Sequence, residues 1–456
     1  MKKTPTIEDL YAIIEIQQKQ IVELRNRVIE LEEELRKYKT KKNSSNSSIP
    51  PSQDQFGPIR NKSLRNKSGR KVGGQKGHKG HTLEMTGNPD KIINHKPCYC
   101  EECGTDIQES EPEFLGRRQV IDIPPIKPEV TEHRIYRIKC ICGHETTSGY
   151  PENVTVPVSY GQGVESLIGY LHSRQYIPFK RMQEMFCDIF GLQVSEGGIH
   201  YLLNKLTKKA LPAYNKIREV VYSSDVIGSD ETGAKVNGQK NWFWTWQSKK
   251  ATFINISTNR GVDTITENCD NHTRNSILVH DCYSAHFNTI TAGHQICVAH
   301  LLRDLNYLEE KDGTTWPTDF KQMLNNALIL KKSLKPESYL SPNKERDKLQ
   351  KELTRLLKCK INPKNKETIT FQKRIIKYKE YLFTFLYHLN VPPDNNASER
   401  AIRNVKVKQK VSGQFKSDTG AKSFAMLRSV SDTAIKNGQN VLNTLKVIAN
   451  LKLQTD

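Results

Sequence analysis

No uninterrupted apolar run in the chain is long enough to cross a bilayer, which takes about 20 helical residues. The first residues, Met-Lys-Lys-Thr-Pro-Thr-Ile-Glu-Asp, lack the apolar core of an export signal. These two absences set aside spanning and secreted classes, and the expectation is a cytoplasmic protein. In that reducing compartment the ten cysteines are read as metal ligands where they cluster, ahead of disulfides. Acid is missing from one long stretch. Between Gln55 and Leu83 there is no Asp or Glu, while Arg60, Lys62, Arg65, Lys67, Arg70, Lys71, Lys76 and Lys79 all occur. Over the whole chain 70 Lys and Arg outnumber 50 Asp and Glu, a formal charge of +20. Such a balance calls for a polyanionic partner, nucleic acid ahead of a membrane surface.

At 456 residues the chain exceeds one compact core, and several domains are expected. Residues 1–40 carry a heptad pattern. Ile7, Ile14, Ile21, Val28 and Leu35 hold one position, and Leu10, Gln17, Leu24, Leu31 and Tyr38 the other. β-branched residues at a with mostly Leu at d favour a parallel two-stranded coiled coil, with Gln17 setting the register. A homodimer or higher assembly follows; the rival is a helix docked on its own protein. Residues 41–90 read as a flexible basic linker. Gly69, Gly73, Gly74, Gly77 and Gly80 interrupt its cations, so the strand can lie along phosphates or in a narrow groove. Arg70, Lys71, Lys76 and Lys79 are its candidate DNA contacts.

Cys100-Glu-Glu-Cys103 and Cys140-Ile-Cys142 are two knuckles, each followed by a glycine. Val120-Ile-Asp-Ile-Pro124 and Glu132-His-Arg-Ile-Tyr-Arg-Ile138 between them read as strands. Two thiolate pairs separated by strands fit a zinc ribbon over 91–157 with one structural Zn²⁺ on Cys100, Cys103, Cys140 and Cys142. The second knuckle is tight, and Cys98 or His144 stands as a substitute ligand. Residues 158–220 read as helices. Phe179–Phe190, a Gly191 turn and a helix capped by Ser195 have helix-turn-helix character, with a plain structural pair as the rival.

Ile227-Gly-Ser-Asp-Glu-Thr-Gly233 reads as a buried strand that carries Asp230 at its tip, Gly233 turning the backbone. Trp242–Trp246 and Ala251–Ser257 alternate as strands. Ser276-Ile-Leu-Val-His-Asp281 is a second apolar strand ending in an aspartate, and a strand at His294–Val298 runs into a helix. Strands followed by alternating strand and helix indicate a mixed α/β sheet. Two strands each ending in Asp match a ribonuclease-H-like plan, with a third acid from a helix. Glu399, in Asp394-Asn-Asn-Ala-Ser-Glu-Arg-Ala-Ile-Arg403, is the candidate, with Asn395 or Asn396 as cap. Arg400 and Arg403 would hold this glutamate or touch the scissile strand. The core would span 221–315 and 391–456, interrupted by a lysine-rich helical insertion at 316–390. Lys406, Lys408, Lys410 and Lys416 would contact DNA beside the site. Converging carboxylates repel by about 4 kcal/mol per pair at 4 Å and an effective dielectric near 20. Two Mg²⁺ (or Mn²⁺) ions on Asp230, Asp281 and Glu399 would relieve this and activate a phosphodiester for attack.

Together these residues resemble the insertion sequence 66 family of bacterial transposases, DDE enzymes with a ribonuclease-H-like core. The likeness includes Asn43-Ser-Ser-Asn-Ser-Ser-Ile-Pro-Pro-Ser52, the glycine-basic motif from Gly69 to Leu83, the cysteine knuckles and Asp230-Glu-Thr232. It continues through His280-Asp281, Cys297-Val-Ala-His-Leu-Leu-Arg303, Asp394–Arg400 and Thr433-Ala-Ile-Lys-Asn-Gly438. The resemblance implies cleavage at terminal inverted repeats, joining of 3′-hydroxyl ends to target DNA, and small accessory proteins from the same element. It places His300 and Arg303 beside the DNA. Val72 stands where a proline is common, and the second knuckle is CxC. An inactive zinc-containing DNA-binding regulator derived from such an enzyme is the alternative, against which the three intact acids speak.

Overall fold

The computed structural model describes residues 7–43, 46, 47, 77, 83–152 and 154–452. Arg70, Lys71, Lys76 and Lys79 lie outside the described residues. None of the helices among them is long and apolar enough to cross a membrane.

Helix α1 (Ile7–Lys39) leaves its heptad residues open to solvent; Ile14 is 48% and Leu24 65% exposed. Among the described residues its base meets the end of α6 (Val298–Asp312). Arg36 Nη2 donates to the Asp312 carbonyl at 2.8 Å, Asn46 Nδ2 to Glu310 Oε2 at 2.8 Å. Between them, the Lys42 ammonium lies 5.0 Å from the Tyr307 ring centre.

Strands β1 (Arg137–Lys139) and β2 (Glu145–Thr147) form a small antiparallel hairpin around the second knuckle. The strand expected at Val120–Pro124 is absent, and of Glu132–Ile138 only the end is a strand. The apolar residues there have nothing to cover them: Val120 is 93% and Val130 91% exposed. Strand-forming side chains without a packing partner do not hold a sheet.

Helices α2 (Gln162–Ser173), α3 (Phe179–Phe190) and α4 (Glu196–Tyr222) follow. The Gly191 turn has φ +63°, and Ser195 Oγ accepts the Gly198 amide at 3.1 Å, as its capping position requires. Ile199, Leu202, Leu203 and Leu206 of α4 are buried in one apolar core with Ile227, Trp244 and Trp246 of the sheet.

Five strands form that sheet: β3 (Val226–Val236), β4 (Gln239–Gln247), β5 (Thr252–Ser257), β6 (Ile277–His280) and β7 (Gly293–Ile296). Their spatial order is β5-β4-β3-β6-β7. β3, β4 and β5 are antiparallel; β6 pairs parallel with β3, and β7 with β6. The turn expected at Gly233 lies further on, at Asn237 (φ +48°) and Gly238 (φ +76°). An Asn-Gly pair in the left-handed region is the favoured two-residue hairpin turn, and it keeps β3 running through Asp230 and Gly233.

Helix α5 (Val262–Cys269) joins β5 to β6. After β7 come α6, α7 (Thr315–Ser333), α8 (Lys344–Lys358), α9 (Lys366–Tyr378) and α10 (Thr384–Tyr387). These helices form a second apolar core with Ile277, Val279 and Ile296 on the other side of the sheet, so the lysine-rich stretch is helical as read. The chain then returns through α11 (Asn396–Ser412), α12 (Asp418–Lys436) and α13 (Val441–Ala449). A third core joins α11 and α12 to β3–β5 through Val405, Phe243, Phe415 and Phe424.

Candidate active site

Asp230 sits in mid-strand, not at the tip of β3. The parallel partner, however, stops two residues earlier, at the Gly228–Val279 pair. Asp230 therefore emerges where β6 has ended, and Asp281 follows the last residue of β6 directly. Side chains alternate along a strand. Gly228 and Asp230 thus share one face of β3, and Ser229 and Glu231 the other.

Glu399 reaches this place because α11 is drawn tightly onto β3. A Cβ on Gly228 would lie 2.6 Å from Ser398 Oγ and 2.9 Å from Asn395 Oδ1, so only glycine admits the helix there. Asn395 occupies the N-cap position but makes no capping bond with its side chain. Its amide instead donates to the Ser229 carbonyl at 2.6 Å, and its Oδ1 accepts from Ser398 Oγ at 2.6 Å. The Asn395 backbone amide is held by Cys297 Sγ at 3.2 Å. This buried clamp fixes the first turn of α11, and with it Glu399, to the strand bearing Asp230.

Acid faces acid here. Asp230 has its proton affinity pushed well up, first by burial and then by Glu231, Asp281 and Glu399. Among the described residues no Lys, Arg or His lies within ion-pair distance of it. Glu231 is raised to about 7 by burial and Asp281, against the pull of Arg260. Arg260 Nε meets Glu231 Oε1 at 2.7 Å, while Glu231 Oε2 is buried without a partner. The Asp281 Oδ1 atom accepts the Tyr283 amide at 3.0 Å. Glu399 is better neutralised, by Arg303 at 3.0 Å and Arg403 at 3.2 Å, with His300 Nδ1 at 3.6 Å. Burial first, then Arg303, lowers the proton affinity of that histidine. Arg400 and Arg403 are exposed. Lys408 is only 5% exposed, and Lys406 Nζ donates to the Gly233 carbonyl at 2.5 Å. These two lysines turn toward the protein, because their helix packs on β3 along that side.

Among the described residues, two sets of ligand atoms lie within 4.8 Å of one another: His280–Asp281–His286 and Cys297–His300–Glu399. Asp230 feels the charge of Asp281 and Glu399, although the three do not close to that range. Their hard oxygen donors and the absence of a basic partner at Asp230 fit Mg²⁺ or Mn²⁺.

The knuckle cysteines form no such set. Each knuckle is closed on itself: Gly104 N bonds the Cys100 carbonyl at 2.9 Å, and Gly143 N that of Cys140 at 2.9 Å. The Thr105 hydroxyl, 3.2 Å from Cys103 Sγ, is the main cause that brings this thiol down to about 7. Hydrogen bonds within the second knuckle lower Cys140. Thiols eased toward thiolate fit a zinc ion.

Several residues here went unsingled in the sequence. Glu231 stood only as a neighbour of Asp230, while Gly228, Ser229, Arg260 and His286 gave no local signal. Asn395 was legible as a cap, not as a clamp between strand and helix.

No curated protein matches the chain. Residues 2–84 match a family described as of unknown function. Residues 97–143, spanning both knuckles, match the zinc-finger binding domain of the IS66 transposases. Residues 157–423, more than half the chain and all of the sheet and α11, match the IS66 transposase family itself. The protein therefore belongs to the IS66 family of transposases, enzymes that cut and rejoin DNA.

Proposed function

We propose that Asp230, Asp281 and Glu399 are the acidic triad of a DDE-type transposase on a ribonuclease-H-like sheet. It cuts DNA at terminal inverted repeats and joins the 3′-hydroxyl ends to target DNA. The observation that carries this reading is Asp230, whose charge is opposed by Glu231, Asp281 and Glu399 and, among the described residues, is paired with no cation. The strand order supports it: Asp230 lies on β3, Asp281 directly follows the parallel neighbour β6, and Glu399 rides on a helix packed against β3. Bound at these carboxylates, two Mg²⁺ or Mn²⁺ ions supply Lewis acidity for an attacking water or 3′-hydroxyl and for the leaving oxygen.

The chain's own residues do the rest. Arg303 and Arg403 hold the Glu399 carboxylate in place, and the exposed Arg400 and Arg403 lie beside it for the phosphates of the scissile strand. His300, at the start of α6, borders the same position. Arg70, Lys71, Lys76 and Lys79 add phosphate contacts from the basic linker. Cys100, Cys103, Cys140 and Cys142 hold one structural Zn²⁺.

The open heptad face of α1 pairs with a second copy as a parallel coiled coil. Light scattering on the full chain and on a form lacking residues 1–40 should give a dimer or higher and a monomer; the same number of copies in both would reject the pairing.

A plasmid carrying the element's ends tests the chemistry. Asp230→Asn, Asp281→Asn and Glu399→Gln should each lose about a thousand-fold or more of Mg²⁺-dependent cleavage while retaining DNA. Undiminished cleavage by any of them would remove that acid from the triad.

A further inference from the structure

Below the acids lies a buried line of polar groups that the reading above does not use. His286, in the short turn Ser284–Asn288, is fully buried, as is Ser229. Its Nε2 lies 3.0 Å from Ser229 Oγ. Its Nδ1 has no hydrogen-bond partner among the described residues, and Asp281 Oδ1 lies 3.8 Å from it. The ring is held in its plane by His280, stacked at 4.7 Å, and by the edge contact with Trp244 at 5.9 Å. A carboxylate can only accept, so the proton belongs on Nδ1, and Nε2 then accepts from the Ser229 hydroxyl. A hydroxyl fully buried beneath the sheet cannot meet DNA, so the line Ser229–His286–Asp281 is no nucleophilic triad. It joins the residue before Asp230 to Asp281, one carboxylate-bearing strand to the next. A buried donor left without a partner, one small rotation from an acceptor, is poised rather than idle.

We infer that His286 is a positioning residue: its Nδ1–H aims the Asp281 carboxylate at the divalent ion shared with Asp230, with Ser229 fixing the tautomer. This rests on the reading of Asp230, Asp281 and Glu399 as the metal centre. Outer hydrogen-bond partners of ligands typically tune affinity about 10- to 100-fold.

The test is calorimetric Mn²⁺ binding to the zinc-loaded full chain without DNA, with melting midpoints recorded alongside. Asn at 286 keeps a donor at the Nδ1 place, whereas Gln reaches only the Nε2 place. His286→Asn should hold the Mn²⁺ Kd within about three-fold, and His286→Gln should weaken it about ten-fold. Ser229→Ala, which barely changes volume, should weaken it about three-fold. If the imidazole only fills space, Gln, the closer match in size, will bind better than Asn; that order overturns the proposal, as does a Kd unmoved in all three variants. Asp281→Asn is the control. If it too leaves Mn²⁺ binding unchanged, the acid centre itself is wrong, and the positioning role falls with it.

Discussion

The acid cluster and the cysteine knuckles make opposite use of the chain. Asp230 and Glu399 are far apart in sequence, yet Asp230 feels the charge of Glu399. Cys103 and Cys140 lie closer in sequence, yet each of these thiols is tuned by neighbours in its own knuckle and not by the other knuckle. What differs is the core. The acids ride on strands and a helix buried in shared apolar clusters, so packing brings them together before any ion arrives. The knuckles sit in a stretch whose apolar side chains are exposed, so no apolar core gathers the sulfurs of the proposed zinc site. One site is built by the fold; the other has to build its own fold.

The largest effect should come from breaking that second arrangement. Structural zinc contributes about 10–16 kcal/mol of binding energy in small zinc domains, and that energy is folding energy. Cys100→Ser or Cys140→Ser should lose the single zinc ion and open residues 83–152 to protease. The melting transition of the 157–452 core should stay where it was. A core transition that falls together with zinc loss would mean that the two regions are one cooperative unit.

Gly228→Ala attacks the first arrangement at its tightest point. Ser398 and Asn395 crowd the new methyl, and the helix must lift from β3. Overpacking of this kind costs about 3 kcal/mol. Because the helix carries Glu399, cleavage should fall further than stability does. Zinc content should not change. A variant that melts normally and cuts normally would show that α11 can bend around a methyl without moving its glutamate.

Much of this contrast was readable in the sequence. The strands at Trp242–Trp246, Ala251–Ser257 and Ser276–His280, the capped helix at Ser195 and the helical stretch after Thr315 are local patterns, set by alternation, capping and turn residues. They appear as read. The Gly233 turn was misplaced because Asn237-Gly238, four residues on, is the stronger turn and the tryptophan strand carries the pairing past Gly233. The missing strand at Val120–Pro124 had the right composition but no partner surface, which composition cannot reveal. Lys408 carried a charge that suited DNA and a position that suited the core, and the position decided. The Asn395 clamp and the His286 line depend on residues far apart in sequence meeting across the sheet, and no local pattern encodes such a meeting.

Acid gives the smallest and most selective way to separate the two regions. His172 is buried between α2 and α12, and its proton affinity is held well down by burial and, less, by Lys408. His294 is lowered to about 4 by burial and then by His286. Each takes its proton at about 6.5 when the chain unfolds. The folded form therefore binds fewer protons than the unfolded form between pH 6.5 and about 4. The stability these groups lend is complete above pH 6.5 and declines as the pH falls through that window. At pH 5.5 the loss should be about 1 kcal/mol per histidine, read as a lower melting midpoint of the core. His294→Gln should remove its share of the pH slope. The histidines of the knuckle stretch, His95, His133 and His144, are exposed. A slope that survives His294→Gln unchanged would move the acid sensitivity of the core to other groups.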